Sequence, residues 1–150
     1  FKRMPEWKIN KSNRRFGATA LHIAVYMGPR KLDLVKYLVK TKTADVFALN
    51  NSGASVLTLA CSNEDADPKV IQYLIQETRI CVNHQIESQT TKWKVVRAAA
   101  RLVVRLKLTT SKLMKRVAEN CGLTALHYAA RRGDVEIVRI HCVRCVRVHL

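Results

Sequence analysis

The feature that most constrains this chain is an eight-residue segment that occurs twice almost unchanged. It reads GATALHIA at residues 17–24 and GLTALHYA at residues 122–129, and a weaker copy, GASVLTLA, lies at residues 53–60. The first interval is 36 residues and the second is 69, which divides into 36 and 33 and predicts a further unit that begins near Gln89. Recurrence at a period of about 20 to 50 residues is typical of repeat proteins, whose units bury their apolar faces by stacking on their neighbours.

Each copy of the segment is followed by a second apolar stretch. These stretches are residues 32–39, 70–75 and 135–140, and their apolar side chains recur three and four positions apart. That spacing predicts an amphipathic helix that buries one face. Each unit is therefore expected to contain two helices, separated from the next unit by a polar turn.

This pattern resembles the ankyrin repeat family, whose unit of about 33 residues contains two helices and a β-turn and carries the signature Thr-Pro-Leu-His-x-Ala. Residues 19–24 and 124–129 match that signature, with Ala20 and Ala125 in place of the usual proline. The resemblance implies an all-α, ankyrin-type solenoid of stacked helix-turn-helix repeats with β-hairpin loops. The expected division is an N-terminal extension (1–13), repeat one (14–49), repeat two (50–85), a degenerate basic repeat three (86–118), an incomplete repeat four (119–141) and an unassigned tail (142–150).

The resemblance gives the recurring polar residues structural roles. A threonine at a helix start can accept a hydrogen bond from a backbone N–H of the first turn, and glycine adopts a backbone conformation that other residues disfavour. Histidine can bridge backbone groups of adjacent loops through its two ring nitrogens. The positions expected to act in these ways are Gly17, Thr19, His22, Gly53, Gly122, Thr124 and His127.

The third unit departs from the pattern, because only Thr91 matches the signature there. The 33-residue interval before Gly122 favours a degenerate repeat, with the turn between its two helices near Ala100. The alternative is that residues 92–108 form one continuous amphipathic helix with a cationic ridge on one face. That basic ridge would consist of Lys94, Arg97, Arg101 and Arg105.

The net charge of +16 is distributed unevenly along the chain. Residues 1–50 carry 11 basic and 3 acidic side chains, and residues 86–118 carry 9 and 1, whereas residues 51–85 carry 2 and 4. Such banding is expected of a linear array in which only some units meet an acidic partner. A solvated basic surface without a partner would explain the banding equally well.

The sequence contains no pattern typical of a catalytic site or a cofactor site. The five glycines are scattered, so no phosphate-binding loop is expected. His141, Cys142, Cys145 and His149 are residue types that bind zinc, but the spacer between the two cysteines lacks a turn-forming residue. We therefore expect no metal, no cofactor and no small-molecule substrate.

The sequence also contains no pattern typical of a targeting signal. No run of 18 or more apolar residues predicts a transmembrane helix, and the first residues do not resemble a signal peptide. The five cysteines are odd in number and mostly far apart, which predicts reduced thiols in a protein of the cytoplasm or the nucleus. The chain is expected to be a fragment of a larger protein.

The leading hypothesis is a non-catalytic protein–protein interaction scaffold that docks an acidic partner. In proteins of the resembled family, partners usually contact the hairpin tips and the exposed side of the first helix. Carried onto this chain, those positions are Arg15, Phe16, Tyr26, Met27, Asn51, Ser52, Ser62, Asn63, Arg131 and Arg132. Exposed aromatic and methionine side chains supply contact energy at interfaces, although Phe16, Tyr26 and Met27 could instead pack against the segment around Trp7.

Two further hypotheses involve the basic third unit. Its arginines and Trp93 suit binding to nucleic acid or to an anionic membrane, since clustered cations contact phosphates and the indole ring can stack. Residues 92–108 are also similar to the basic amphipathic helices that calmodulin binds. An enzymatic role would require a domain outside these 150 residues.

Overall fold

The computed structural model describes residues 9–27, 31–63, 65–78, 80–88, 90–119 and 122–147. Within them the helices are α1 (Ala20–Met27), α2 (Lys31–Lys36, continued by a π-helical turn at Tyr37–Thr41), α3 (Val56–Ser62), α4 (Pro68–Glu77), α5 (Thr91–Arg105), α6 (Lys112–Glu119), α7 (Ala125–Arg132) and α8 (Val135–Arg147). These residues form no strand, and an isolated β-bridge joins Leu49 to Ser55. The predicted all-α fold class is confirmed.

Helix boundaries follow from local capping. Helix α4 begins after Asp67, whose carboxylate accepts a hydrogen bond from the backbone N–H of Lys69 at 2.9 Å, and Pro68 occupies the first helical position. Helix α7 ends at Gly133, which has a φ of 73°. A left-handed glycine at this position is a common way to end a helix.

Six of the helices form two parallel rows, which together we call the stack. The first row is α1, α3 and α7, and the second row is α2, α4 and α8. Helix α3 packs against both α1 and α7, and α4 packs against both α2 and α8. The core lies between the rows and includes the fully buried Leu57, Ile71, Leu74 and Ile137. The burial of such side chains is the main stabilising contribution to a repeat array.

Helices α5 and α6 lie outside this arrangement and pack chiefly against each other. Residues 86–118 were expected as a degenerate repeat three; in the structure α3 contacts α7 directly, and α5 and α6 lie beside this contact rather than within it. Of the two alternatives for residues 92–108, one helix or two, the structure has one helix over most of this range. Ala100 is buried inside α5, which continues to Arg105 before the chain turns towards α6.

The backbone hydrogen bonds of the loops show where α5 and α6 enter the chain. In the second unit, Asn50 N–H donates to Ala54 O at 3.1 Å and Gly53 N–H donates to Asn50 O at 2.9 Å. In the last unit, Ile86 N–H donates to Leu123 O at 3.1 Å and Gly122 N–H donates to Ile86 O at 3.0 Å. The same pair of hydrogen bonds thus encloses residues 51–52 in the loop of the second unit and residues 87–121 in the loop of the last unit. We call residues 87–121 the inserted hairpin.

Candidate partner-binding groove

The signature residues of the first unit form a buried polar cluster. The N–H of Thr19 donates to His22 Nδ1 at 3.1 Å, and the Thr19 hydroxyl lies 2.9 Å from the same nitrogen. Because Nδ1 accepts a hydrogen, Nε2 carries the proton of the neutral ring. Burial lowers the pKa of His22, and the backbone groups of Ala54 in the second unit and of Ala48 at the end of the first oppose that shift. These residues therefore connect the first unit to the second.

The same contact recurs in the other units with different residues. In the last unit, Thr124 N–H donates to His127 Nδ1 at 3.2 Å. In the second unit, the Ser55 hydroxyl lies 2.9 Å from that of Thr58 and accepts a hydrogen bond from Thr58 N–H at 3.2 Å. The second unit thus keeps the cap but has no imidazole at this position.

Two glycines allow neighbouring loops to approach closely. Gly17 has a φ of 69°, and a Cβ placed there would overlap Asn51. Gly53 has a φ of 81°, and a Cβ placed there would overlap the backbone of Glu87. Asn51 and Glu87 each begin the loop of the following unit, so the contact repeats along the stack. The inserted hairpin therefore begins directly against Gly53.

A groove of about 450 Å³ lies between the inserted hairpin and the first row of helices. Its walls combine three aromatic rings, three arginines and small polar or apolar side chains. The lining residues are Tyr26, Ser52, Ala54, Thr58, Leu59, Ser62, Ile86, Trp93, Arg97, Val117, Tyr128, Arg131 and Arg132. The hairpin supplies one wall, and α1, α3 and α7 supply the floor.

The charge of the groove is positive. Arg97, Arg131 and Arg132 line it, and the described part of its lining includes no Asp or Glu. Arg132 is partly neutralised by Asp134, whose carboxylate lies 3.6 Å from its guanidinium. The arrangement suits a ligand that carries negative charge together with an apolar or aromatic group.

Comparison with family models decides the relationship of the stack to known proteins. The model for ankyrin repeats in three copies matches residues 4–86, and a model for ankyrin repeats in many copies matches residues 103–140. The chain belongs to the ankyrin repeat family. Ankyrin repeats generally act as protein-interaction scaffolds and are typically non-catalytic. A search of curated proteins finds no match to this chain.

Several positions predicted to bind a partner are exposed in this ankyrin repeat protein. Phe16 is 47% exposed, Tyr26 48% and Met27 73%. The guanidinium of Arg15 lies 5.2 Å from the centre of the Phe16 ring. Tyr26 also lines the groove. The alternative packing against Trp7 concerns a residue outside the described part of the chain.

Other predicted positions support the ankyrin stack itself. Asn51 N–H donates to Phe16 O at 2.8 Å, and the Asn63 side-chain amide donates to Tyr26 O at 2.6 Å. Arg132 donates to Cys61 O at 3.4 Å and also to Asn63 O. Asn51 through its backbone, and Asn63 and Arg132 through their side chains, therefore link neighbouring units. Ser52, Ser62 and Arg131 line the groove, where a partner can reach them.

The predicted basic ridge is only partly present. Lys94, Arg101 and Arg105 are exposed, and Arg101 Nε donates to Ala118 O of α6 at 3.3 Å. Arg97 is 6% exposed and donates through Nη2 to Ser52 O at 2.9 Å. The side chain of Arg97 therefore turns towards the stack, away from the exposed Lys94, Arg101 and Arg105.

Sequence reasoning missed a buried contact between the second and last ankyrin units. Cys61 Sγ in α3 lies 3.6 Å from His141 Nε2 in α8, and both side chains are buried. Burial raises the pKa of Cys61 to about 12 and lowers that of His141. The pair is thus a neutral thiol beside a neutral imidazole, with no activated thiolate. The two residues are 80 positions apart in the sequence, so no local sequence pattern predicts this contact.

The tail residues considered for zinc do not form a described metal site. His141 faces Cys61, and Cys142 is exposed. Among the side chains that the structure describes, no group of three or more His, Cys, Asp or Glu residues could hold a metal ion. Cys145 and His149 lie outside the described side chains.

The described helices include none that is long and apolar enough to cross a membrane.

Proposed function

We propose that this protein is a non-catalytic interaction scaffold whose groove docks an acidic partner. The observation that carries the proposal is the lining of the groove, which presents three arginines beside three aromatic rings and, within the described residues, includes no acidic side chain. A partly closed site of one charge sign attracts ligands of the opposite sign and rejects like charge. Family membership supports a binding role, since ankyrin repeats generally bind proteins.

The lifetime of the complex would depend on apolar contacts rather than on charge. Tyr26 lies at the end of α1 and lines the groove, and Met27 follows it with most of its surface in contact with solvent. Aromatic anchors that become buried at the centre of an interface typically contribute about 2 kcal/mol or more to binding. Phe16 extends this apolar surface towards the loop of the first unit.

We also propose a revised division of the chain. Repeats at residues 14–49, 50–86 and 122–141 form the stack, and residues 87–121 form an insertion in the loop of the last repeat. This division is supported by the matching loop closures at Asn50 and Ile86 and by the direct packing of α3 on α7.

The proposed docking is tested with polyglutamate as the acidic probe, by measuring its affinity from low to physiological salt. Affinity should fall steeply, because exposed charges are screened beyond about 8 to 10 Å at these ionic strengths. Arg131→Glu should weaken binding, since Arg131 lines the groove. Arg139→Glu is the matched control, because Arg139 is an exposed arginine of α8 in the second row. A flat salt response, or equal losses in the two variants, would contradict the proposal.

A second candidate function is docking to an anionic membrane surface through the outer face of α5. Val95, Leu102 and Leu106 are 62%, 57% and 56% exposed and recur at helical spacing, and Lys94, Arg101 and Arg105 lie beside them. An apolar stripe next to cations suits a lipid surface better than nucleic acid, which offers phosphates but few apolar groups. Co-sedimentation with phosphatidylserine vesicles tests it, and Leu102→Glu should abolish retention. Unchanged retention would exclude this candidate.

A further inference from the structure

The buried guanidinium of Arg97 lacks part of its hydrogen bonding among the described residues. Arg97 lies in α5, one helical turn after Trp93, and both side chains line the groove. Among the residues that the structure describes, its guanidinium makes one hydrogen bond, from Nη2 to Ser52 O, whereas its buried Nε and Nη1 have no hydrogen-bond partner. An ionised group buried without a counter-charge is costly, and N–H donors shielded from water add to that cost.

We propose that Arg97 is an anion-binding residue that receives a carboxylate from an acidic peptide segment held in the groove. This inference rests on the proposed function and names the contact that would recognise the partner. A guanidinium offers N–H donors in fixed directions and forms strong charge-assisted hydrogen bonds with carboxylates, so Nε–H or Nη1–H is suited to donate to a carboxylate oxygen. As far as the structure describes the groove lining, it contains no carboxylate that already fills this position.

The surroundings of Arg97 define the rest of the recognised segment. Trp93 on the hairpin and Tyr128 on α7 both line the groove and are half-buried, and Tyr26 lies at the end of α1. Aromatic walls favour an apolar or aromatic side chain on the ligand. The volume of about 450 Å³ accommodates a few side chains rather than a folded domain. The expected ligand is therefore an extended segment with an acidic residue close to an apolar one.

Entry of the carboxylate requires the hairpin to shift. Nε and Nη1 of Arg97 are shielded from solvent, so α5 must move outward before an anion can reach them. Helices α5 and α6 pack chiefly on each other, so such a shift breaks few contacts with the stack. The binding site is accordingly a groove that opens at its hairpin wall.

The test uses the full chain and a phage-displayed library of random peptides about ten residues long. The wild-type protein should enrich sequences with an acidic residue near an aromatic or aliphatic one. Arg97→Gln should bind the enriched peptides about ten- to a hundredfold more weakly, because a charge-assisted contact is lost. Arg105→Gln should bind them unchanged, since Arg105 is exposed on α5 and does not line the groove.

The outcomes separate this inference from the proposed function. If the wild-type protein enriches no acidic sequences, both are overturned. If acidic peptides bind Arg97→Gln as tightly as wild type, the role of Arg97 is overturned and the acidic partner stands. Should Arg97→Gln fail to fold, the ¹⁵N resonance of Arg97 Nε in the wild-type protein decides. A shift on addition of the enriched peptide supports the contact, and an unmoved resonance contradicts it.

Discussion

The helices of the stack and of the inserted hairpin differ in how many of their residues are buried. In the stack, α4 buries Val70, Ile71 and Leu74 between neighbouring units. In the hairpin, α5 is half again as long as α4, yet only Arg97 and Ala100 of its residues are buried. Helical periodicity alone therefore does not identify a stacked repeat. A stacked repeat is distinguished by a helix in the second row and by its loop closure.

The comparison also shows why a repeat array tolerates such an insertion. The loop ends at Ile86 and Gly122 are held by the same hydrogen bonds that close a two-residue loop in the second unit. Closing a flexible loop costs only about 0.6 kcal/mol for each doubling of its length. Residues 87–121 extend the loop by about four doublings, which corresponds to about 2 to 3 kcal/mol, and the packing of α5 on α6 offsets part of that cost.

The largest expected effect is at the junction of the two regions. Gly53→Ala should lower the free energy of unfolding by about 3 kcal/mol or more, because the new Cβ combines a positive φ with an overlap with the Glu87 backbone. Urea denaturation measures the change. Gly133→Ala is the matched control, since Gly133 has a φ of 73° and open space around it, and it should cost about 1 to 2 kcal/mol. Equal costs would mean that the hairpin does not begin against Gly53.

An intermediate effect is expected at the contact between α7 and α3. Arg132→Ala should destabilise the stack by about 1 to 3 kcal/mol, because the carbonyls of Cys61 and Asn63 lose their donor. Arg131→Ala removes the neighbouring exposed arginine and should change stability by less than about 0.5 kcal/mol. Thermal melting of the two variants provides the comparison. If both are neutral, the last unit does not rest on the second through Arg132.

A smaller effect is expected from acid. Burial lowers the pKa of His22 and of His141 below the ordinary value of 6.5. As the pH falls below about 6.5 the unfolded chain takes up protons before the folded chain does, so the free energy of unfolding should decrease. His141→Leu should make this decrease shallower, which denaturation at several pH values would show. An identical slope in the variant would mean that His141 is not buried beside Cys61.

The parts of the fold that were predictable are those set by local chemistry. The helix pairs and the capping residues follow from spacing that a short segment contains. The insertion was not predictable, because the 69 residues between Gly53 and Gly122 divide arithmetically into two repeat lengths. Two features hinted at another structure: residues 86–118 match the signature only at Thr91, and residues 92–108 have the periodicity of one continuous helix.

The candidate site was also predictable only in part. Tyr26, Ser52, Ser62, Arg131 and Arg132 were all expected at the binding surface, and all line the groove. The hairpin wall was missed because its position depends on a contact across 45 residues, from Arg97 to Ser52. At helical spacing Arg97 lies at the edge of the face that Lys94, Arg101 and Arg105 share, so periodicity could not decide which way it turns.

The most direct test of the account removes the hairpin and asks whether the stack survives. Residues 87–121 are replaced by Asn-Ser, the dipeptide that forms the corresponding loop at residues 51–52. Urea denaturation followed by circular dichroism measures the free energy of unfolding. The account predicts one cooperative transition at a free energy within about 1 kcal/mol of the full chain or above it, because α3 and α7 already pack together. A shortened chain that is unfolded, or that melts without cooperativity, would contradict direct stacking of the second and last units.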